Sequence, residues 1–223
     1  MTVISNKKIA IFTGKRGGAG ALSQLINRFD VSKDWDCEVI TSDMHVQDAF
    51  GKTTEEVQQF AKHVVELPIK AYGSHVSHRA AALGDIYKAL VNYLAKNRVD
   101  LLLLLGDRGE TLIATNAAVQ LGIPVAHIQA GDISGGMDNI HRHAITKLAH
   151  LHFSQTKRQA ERVLRLGEEK HRVHHVGAPY IDNILNIKLP SIDTVFATLK
   201  LGTPREFCLV LQHSDTFALH DTK

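Results

Sequence analysis

Two short, mainly apolar runs constrain the fold most strongly: LLLLL at residues 101–105 and IPVAHI at residues 123–128. Apolar runs of this length are typical of strands that are buried on both faces of a parallel sheet. An Ala- and Leu-rich helix is predicted between them, over residues 111–121, and Gly122 and Pro124 end it. The chain is therefore predicted to contain a strand–helix–strand unit of an open α/β sheet.

Polar residues follow each of these strands, with GDRGE at 106–110 and QAGD at 129–132. Ligands of open α/β sheets bind in the crevice outside the carboxyl ends of the strands. We therefore predict the functional site here, and its candidate residues are Asp107, Arg108, Glu110, Gln129 and Asp132.

A similar arrangement stands near the start of the chain, where KIAIFT at 8–13 predicts a strand and residues 21–29 predict a helix. The glycine-rich turn at 14–20 would present backbone N–H groups and a helix dipole to an anion. It is neither a P-loop nor a clean GxGxxG motif, and a flexible turn is the alternative. Gly14 and Arg16 are its candidate phosphate- or sugar-binding residues, since a guanidinium pairs well with phosphate oxygens.

Further candidates lie in the other segments that follow strands. His45 follows a predicted strand at 37–41, where it either contacts substrate or is a solvated loop residue. Ser77 lies at the start of a predicted helix over 75–96, where orphan N–H groups favour a phosphate. Asp138 is either an N-terminal cap of a helix over 138–150 or converges on the crevice with Arg142 and Asp132. The remaining predicted elements are a helix over 55–65, strands at 65–69, 152–154 and 172–176, and a helix over 157–166.

The pattern changes after residue 180. A connecting segment and a helix broken by Pro190 are predicted over 185–199, then a buried strand at 206–212 followed by His213. One strand of a parallel sheet does not bury both of its faces alone. We therefore expect a first domain over 1–178, and over 179–223 a linker and the start of an incomplete second Rossmann-like domain.

Composition excludes several functional classes. The net charge of +3 is modest and the basic residues are dispersed, so no nucleic-acid partner is expected. Cys37 and Cys208 form no metal or redox pattern, which suits a reducing cytoplasm. His141 and His143 lie two apart on a predicted helix, so a metal site is not expected. With no signal peptide or apolar run of membrane length, we expect a soluble cytoplasmic protein without a membrane partner.

Six motifs together carry a family resemblance. They are TGKRG at 13–17, SDMHVQDAFGKT at 42–53, GDRGE at 106–110, HIQAGDISGGMDNIHRHAITKLAHLHF at 127–153, VGAPYID at 176–182 and VLQH at 210–213. The chain resembles the UDP-N-acetylglucosamine 2-epimerase family over essentially its whole length, and specifically the hydrolysing branch that supplies sialic acid and related nonulosonate synthesis.

This resemblance implies the N-terminal half of a glycosyltransferase-B-like pair of Rossmann-type domains, with a UDP-sugar bound between the two. It also implies a homodimer formed through first-domain helices. The implied reaction uses neither NAD nor an obligatory catalytic metal, so no cofactor is expected. A base removes the proton at sugar C2 while UDP leaves C1, and water then adds to the resulting glucal. The products are UDP and free N-acetylmannosamine.

The resemblance also implies roles for individual residues. Asp107 would be a catalytic or sugar-orienting carboxylate, with Asp132 and Asp138 as further acid/base groups. Arg142 would pair with substrate or with a carboxylate, and His213 would reach the leaving phosphates. The residues expected to bind substrate are Gly14, Arg16, His45, Ser77, Arg108 and Glu110.

Two departures from the family pattern matter. Gln129 stands in the catalytic group where relatives often carry Glu, and an amide does not transfer protons. Either Asp132 takes that role or the chemistry is altered. Most of the family's uridine site lies beyond His213, so we expect this chain to bind UDP-sugar weakly and to turn over little. The alternatives are an epimerase of a UDP- or GDP-linked diacetamido-bacillosamine, or a non-catalytic family member.

Overall fold

The computed structural model describes residues 6–73, 75–203 and 205–211, and the chain divides into two compact units, Met1–Ile184 and Leu185–Lys223. The first unit contains one seven-stranded sheet in which all strands are parallel. The strands are β1 Lys7–Thr13, β2 Trp35–Thr41, β3 Val64–Glu66, β4 Leu101–Leu105, β5 Val125–Ile128, β6 Leu151–Ser154 and β7 Val173–His175. The helices of the chain are α1 Arg16–Asp30, α2 Thr54–Gln58, α3 Val76–Leu94, α4 Gly109–Gln120, α5 Gly136–Leu148, α6 Lys157–Arg165, α7 Pro179–Asn186 and α8 Ile192–Thr198.

The strand order is β3-β2-β1-β4-β5-β6-β7, so the direction of winding reverses between β1 and β4. Phe12 of β1 lies beside Leu104 of β4 in the ladder. The loops that leave these two strands run to opposite sides of the sheet and open a crevice between them. The order therefore places the ligand crevice between the β1–α1 turn and the β4–α4 loop.

Both faces of the sheet are covered, as the apolar runs require. Ala10, Phe12 and Leu104 face the helices α3, α4 and α5, whereas Ile9 and Ile11 face α1 and α2. Successive strand residues alternate between the two sides, so residues 9–12 of β1 and all of β4 are apolar. The predicted Rossmann-like parallel sheet with helices on both faces is confirmed.

Two predicted boundaries were wrong near the start of the chain. Helix α1 begins at Arg16 rather than at residue 21, so three glycines predicted to form a turn lie in its first turns. Helix α2 covers only Thr54–Gln58, because a turn follows it and Val64 pairs with Val39 in the parallel ladder. Val57, Ala61 and Val64 have helical spacing, but a short helix followed by a buried strand has the same apolar pattern.

The strand predicted at 206–212 was also wrong over its described residues. Residues 205–211 have no regular secondary structure, and Leu209 and Val210 are 83% and 85% exposed. A strand needs a neighbour for its backbone hydrogen bonds, and within the described part of the second unit no strand pairs with this segment. Within the described part of this unit, Phe196 and Phe207 form an edge-to-face ring pair. Gln212 lies outside the described residues.

Among the helices that the structure describes, none is long and apolar enough to cross a membrane.

Candidate functional site

A cavity of about 390 Å³ lies at the carboxyl ends of β1 and β4, where the strand order reverses. Its walls come from the β1–α1 turn, the β4–α4 loop, the residue after β5 and the start of α7. The lining residues are Phe12, Thr13, Gly14, Lys15, Gly17, Gly18, Ala21, Leu22, Leu105, Gly106, Asp107, Arg108, Glu110, Thr111, Gln129 and Tyr180.

The β1–α1 turn approaches the opposite wall closely because it lacks a side chain at Gly14. A Cβ atom there would lie 2.9 Å from Glu110 Oε1, which is too close for ordinary contact. Gly17 and Gly18, in the first turn of α1, continue the same wall. The positive end of the α1 dipole and its free N–H groups therefore border the cavity, together with the Lys15 side chain.

Asp107 is the carboxylate of the cavity that is paired with a buried guanidinium. Arg142 of α5 donates to the Asp107 carboxylate, to Ser134 Oγ at 3.2 Å and to the Gln129 carbonyl at 3.4 Å. Burial raises the pKa of Asp107; the Arg142 charge lowers it and the Asp138 carboxylate raises it further. Asp107 is thus held in place with a pKa above its ordinary value, which suits a group that accepts a proton.

A second ionic cluster lies on the β2 side of Asp107. Glu110 is buried and accepts from Arg108 Nε at 2.6 Å and from Arg79 Nη2 at 2.8 Å. Arg79 also binds both carboxylate oxygens of Asp43, at 3.0 and 2.9 Å, and Tyr72 donates its hydroxyl to Asp43 Oδ1 at 2.5 Å. Two carboxylates and two guanidiniums balance one another, and the cluster fixes Arg108 at the cavity wall.

Asp43 of this cluster has unusual backbone and protonation properties. Its φ is +53°, in the left-handed region that non-glycine residues rarely occupy. Burial raises the pKa of its carboxyl and the neighbouring Glu110 adds to the rise, while Tyr72 and Arg79 oppose it. The ion pairs and the Tyr72 hydrogen bond compensate for this strained, buried carboxylate.

Two buried histidines hold the loops around the cavity. His45 lies between Thr13 Oγ1 and Thr53 Oγ1, at 3.2 and 2.8 Å, and burial lowers its pKa. His127 on β5 donates from Nε2 to the Gly106 carbonyl at 2.7 Å, and burial lowers its pKa to about 3. Both side chains stay neutral and support the cavity from behind.

Four candidate residues neither line the cavity nor act on the Asp107 carboxylate. Arg16 is 74% exposed and pairs with Glu56 at 2.6 Å, and it is the preceding residue, Lys15, that lines the cavity. The remaining three are His45, which is buried behind the wall; Ser77, whose Oγ lies 2.7 Å from His75 Nδ1 at the start of α3; and Asp132, which borders a separate depression with Arg158 and Arg162.

The structure therefore brings together part of the predicted set of site residues. Gly14, Asp107, Arg108, Glu110 and Gln129 surround the cavity. Arg142 lies behind Asp107, and Asp138, in the first turn of α5, acts on the Asp107 charge. His213 lies outside the described residues.

The sequence interpretation did not single out Lys15, Asp43 or Tyr72. The signal for Lys15 was its position two residues after the end of β1, one residue nearer the strand than Arg16. Over the part of the chain that is described, no three His, Cys, Asp or Glu side chains are grouped so that they could hold a metal ion.

Comparison with known proteins identifies similar sequences and folds. Residues 27–222 match the family model described as UDP-N-acetylglucosamine 2-epimerase. The chain is 33% identical over 209 residues to the UDP-N,N′-diacetylbacillosamine 2-epimerase (hydrolyzing) of Legionella pneumophila, covering 93% of this chain and 55% of that protein. It is 27% identical to the UDP-N-acetylglucosamine 2-epimerase of Neisseria meningitidis, covering 85% of this chain and 50% of that protein.

Solved structures agree on the fold. The putative UDP-N-acetylglucosamine 2-epimerase of Listeria monocytogenes superposes with a TM-score of 0.72 at 17% identity, over 87% of this chain and 51% of that one. The Neisseria meningitidis UDP-GlcNAc 2-epimerase, solved with UDP-GlcNAc bound, superposes with a TM-score of 0.68 at 20% identity, over 88% of this chain and 51% of that one. The chain spans about half the length of the curated relatives it matches.

Proposed function

Because the chain belongs to the UDP-N-acetylglucosamine 2-epimerase family, we propose that it supplies the first half of a hydrolysing epimerase that converts UDP-N-acetylglucosamine to UDP and N-acetylmannosamine. A base takes the C2 proton, the electron pair forms a C1–C2 double bond, and the C1–O bond to UDP breaks. Water then adds OH to C1, and a proton returns to the opposite face of C2.

The observation that carries this proposal is the pairing of Asp107 with Arg142 at the wall of the cavity. A base near its working pH needs a carboxyl pKa above the ordinary value, and burial supplies that at Asp107. Asp138 is the second carboxylate close enough to affect Asp107. Two carboxylates allow a proton to be removed at one face of C2 and delivered at the other.

The leaving diphosphate requires positive charge on the other side of the sugar. Lys15 and the N-terminal turn of α1 line the cavity opposite the β4–α4 loop. Ammonium groups and helix N-termini stabilise phosphate charge as it develops. We assign the diphosphate to this wall, with His213 as a further proposed contact.

A second candidate substrate is UDP-N,N′-diacetylbacillosamine. The match to the Legionella pneumophila protein of that activity, at 33% identity over 93% of this chain, favours it. Both nucleotide sugars carry an N-acetyl group, so the same Asp107 chemistry serves either. The ratio of kcat/KM for the two substrates decides between them.

We further propose that the assembled enzyme is a cytoplasmic homodimer that supplies the sialic acid pathway. Ile133, Met137 and Ile140 expose apolar side chains around the start of α5, and they offer a surface for a second copy. Sedimentation velocity tests this: a dimer that Ile140→Asp dissociates is expected, and a monomer at all concentrations contradicts it.

The proposed function is tested by assay in D₂O. The 223-residue chain, and the same chain joined to the second half of the Legionella pneumophila relative, are incubated with UDP-N-acetylglucosamine. We expect more turnover from the joined protein, with release of UDP and of N-acetylmannosamine that carries deuterium at C2. UDP release with protium retained at C2, a UDP-linked epimer as product, or no turnover by either protein contradicts the proposal.

Asp107→Asn and Asp85→Asn are the matched variants. The first removes the proposed base, so at least a hundredfold loss of turnover is expected. Asp85 is an exposed residue of α3, and its variant should keep wild-type turnover. Equal activity of the two variants contradicts the assignment of Asp107.

A further inference from the structure

We propose that Gln129 recognises the N-acetyl group of the sugar while Lys15 holds the diphosphate, so that this cavity wall selects N-acetylated nucleotide sugars. The inference rests on the proposed function and assigns its specificity. It gives Gln129 a recognition role in place of the catalytic role that its position suggested.

Among the described residues of the cavity wall, Lys15 and Gln129 have charged or amide side chains without a hydrogen-bond or ion-pair partner. Of the charged and amide side chains that line the cavity, Asp107 is paired with Arg142, and Arg108 with Glu110. Neither the Lys15 ammonium nor the Gln129 amide makes a hydrogen bond or salt bridge to any residue in the described ranges. The Lys15 charge lowers the pKa of Asp107 without a direct ion pair. Within the described residues the cavity therefore offers a ligand an ammonium and an amide that have no hydrogen-bonded partner, and these match a phosphate and an acetamide.

The Gln129 backbone is fixed although its side chain is not. Its N–H donates to the Phe153 carbonyl at 3.0 Å, and its own carbonyl accepts from Arg142 at 3.4 Å. Its φ is +69°, a left-handed conformation that is strained for a residue with a Cβ and unstrained for glycine. A glutamine held in this strained conformation at a cavity wall points to a function of its side chain.

The position of the amide fits the chemistry at sugar C2. Arg142 binds the Asp107 carboxylate with one nitrogen and the Gln129 carbonyl with another, so one guanidinium places both residues. Gln129 Oε1 lies next to Gly106, the residue before Asp107. A Cβ atom added to Gly106 would be 3.6 Å from this oxygen. The N-acetyl group is attached to the carbon whose proton the base removes, so a base at Asp107 brings that group beside Gln129.

An amide is suited to this contact and unsuited to proton transfer. The Gln129 amide offers both a donor and an acceptor, and the acetamido group offers the complementary acceptor and donor. A site built to bind a polar group discriminates against a ligand that lacks it, because the protein's own polar atoms are then left unpaired. UDP-glucose, which carries a hydroxyl at C2, is the natural probe of this contact.

The test uses the 223-residue chain and ligand-observed NMR titrations with UDP-N-acetylglucosamine and UDP-glucose. The wild-type chain should bind the N-acetylated ligand about tenfold more tightly. Gln129→Ala should reduce this ratio to about one by weakening the binding of UDP-N-acetylglucosamine alone. Gln129→Gly should reduce the ratio equally while raising the unfolding midpoint, since glycine relieves the left-handed strain. A role limited to folding would not produce that combination.

Lys15→Met should weaken the binding of both ligands by a similar factor, since both carry the diphosphate. The ratio of the two affinities should therefore stay as in the wild type. Gln120→Ala, at the exposed end of α4, and Lys96→Met, just after α3, are the matched controls and should behave as the wild type. Equal binding of the two ligands by the wild-type chain, or an unchanged ratio in Gln129→Ala, overturns this inference alone. Failure of the wild-type chain to bind either nucleotide sugar overturns this inference, whereas the proposed function is overturned only if the joined protein also shows no turnover.

Discussion

At the scale of single residues, the burial of His127 makes the free energy of unfolding depend on pH. The side chain is fully buried between the Gly106 carbonyl and Thr146 Oγ1, and its pKa is lowered to about 3. In an unfolded chain the histidine pKa is about 6.5. The stabilisation is therefore complete above about pH 6.5 and is lost as the pH falls towards 3, because the unfolded state binds a proton that the folded state excludes.

We expect His127→Gln to remove this component of the pH dependence. Glutamine still donates to the Gly106 carbonyl but does not titrate. Urea unfolding at intervals from pH 7 to pH 4 gives the free energy of unfolding as a function of pH. For His127→Gln the slope of this function should be smaller than for the wild type by up to about 1.4 kcal/mol per pH unit. His63→Gln, at an exposed position before β3, should leave the slope unchanged. Parallel curves for the wild type and His127→Gln would contradict the prediction.

The Asp107–Arg142 pair gives a second prediction about a charged residue. Arg142 is 3% exposed and its charge lowers the pKa of Asp107, against the effect of burial. Arg142→Met should raise the pKa of Asp107 further and lower the free energy of unfolding by about 3 kcal/mol, because a buried carboxylate loses its partner. Carboxyl ¹³C NMR of Asp107 and urea unfolding measure the two effects. Arg165→Met, on the exposed side of α6, should change neither.

How far single residues could be assigned from sequence depended on whether their partners are local. Asp107, Arg108, Glu110 and Gln129 follow apolar strands directly, and the rule that ligands bind at strand ends found them all. The Asp43–Arg79 pair joins positions 36 residues apart in the chain, and no local sequence pattern indicates that these two residues are in contact. Arg16 was chosen over Lys15 on its chemistry alone, whereas the early start of α1 turns Arg16 towards Glu56.

At the scale of elements, the turn between β1 and α1 depends on a residue without a side chain. A Cβ at Gly14 would lie 2.9 Å from Glu110 Oε1. Gly14→Ala should therefore displace Glu110 from Arg108 and Arg79 and destabilise the fold by about 1–3 kcal/mol.

Gly20 is the matched control within the same segment. It lies inside α1, and no atom lies within 4 Å of where its Cβ would stand. Gly20→Ala should stabilise the fold by about 0.5–1 kcal/mol, because alanine loses less backbone entropy than glycine in a helix. Chemical denaturation of both variants measures the difference. A stabilising effect of Gly14→Ala would show that Glu110 moves without cost.

The elements themselves were predictable where the apolar pattern has one interpretation. The run at 101–105 is β4 to the residue, and α3 was expected within two residues of its ends. The segment at 55–65 was misassigned as one helix because helical spacing and a helix-then-strand pattern coincide there. Residues 205–211 are apolar enough for a strand, but strand formation depends on a neighbouring strand, which sequence in one segment does not reveal.

At the scale of the whole molecule, the cavity is a consequence of strand order. Every residue that lines it belongs to the first compact unit, and the loops after β1 and β4 meet only because those strands are neighbours. The long-range pairing of β1 with β4 brings together side chains that lie about ninety positions apart in sequence, such as Lys15 and Asp107. A parallel sheet of this kind is expected to form its site only when the complete sheet has folded.

The same arrangement predicts that the first unit folds without the second. Its two apolar clusters cover both faces of the sheet and are built from residues of the first unit alone. A chain ended after Asn186, which keeps the whole of α7, should unfold in urea with a free energy within about 0.5 kcal/mol of the 223-residue chain. It should also keep the preference for N-acetylated ligand, since Lys15 and Gln129 are both present. A free energy lowered by more than about 2 kcal/mol would mean that residues after 186 stabilise the sheet. A lost preference with unchanged stability would instead place part of the sugar recognition beyond α7.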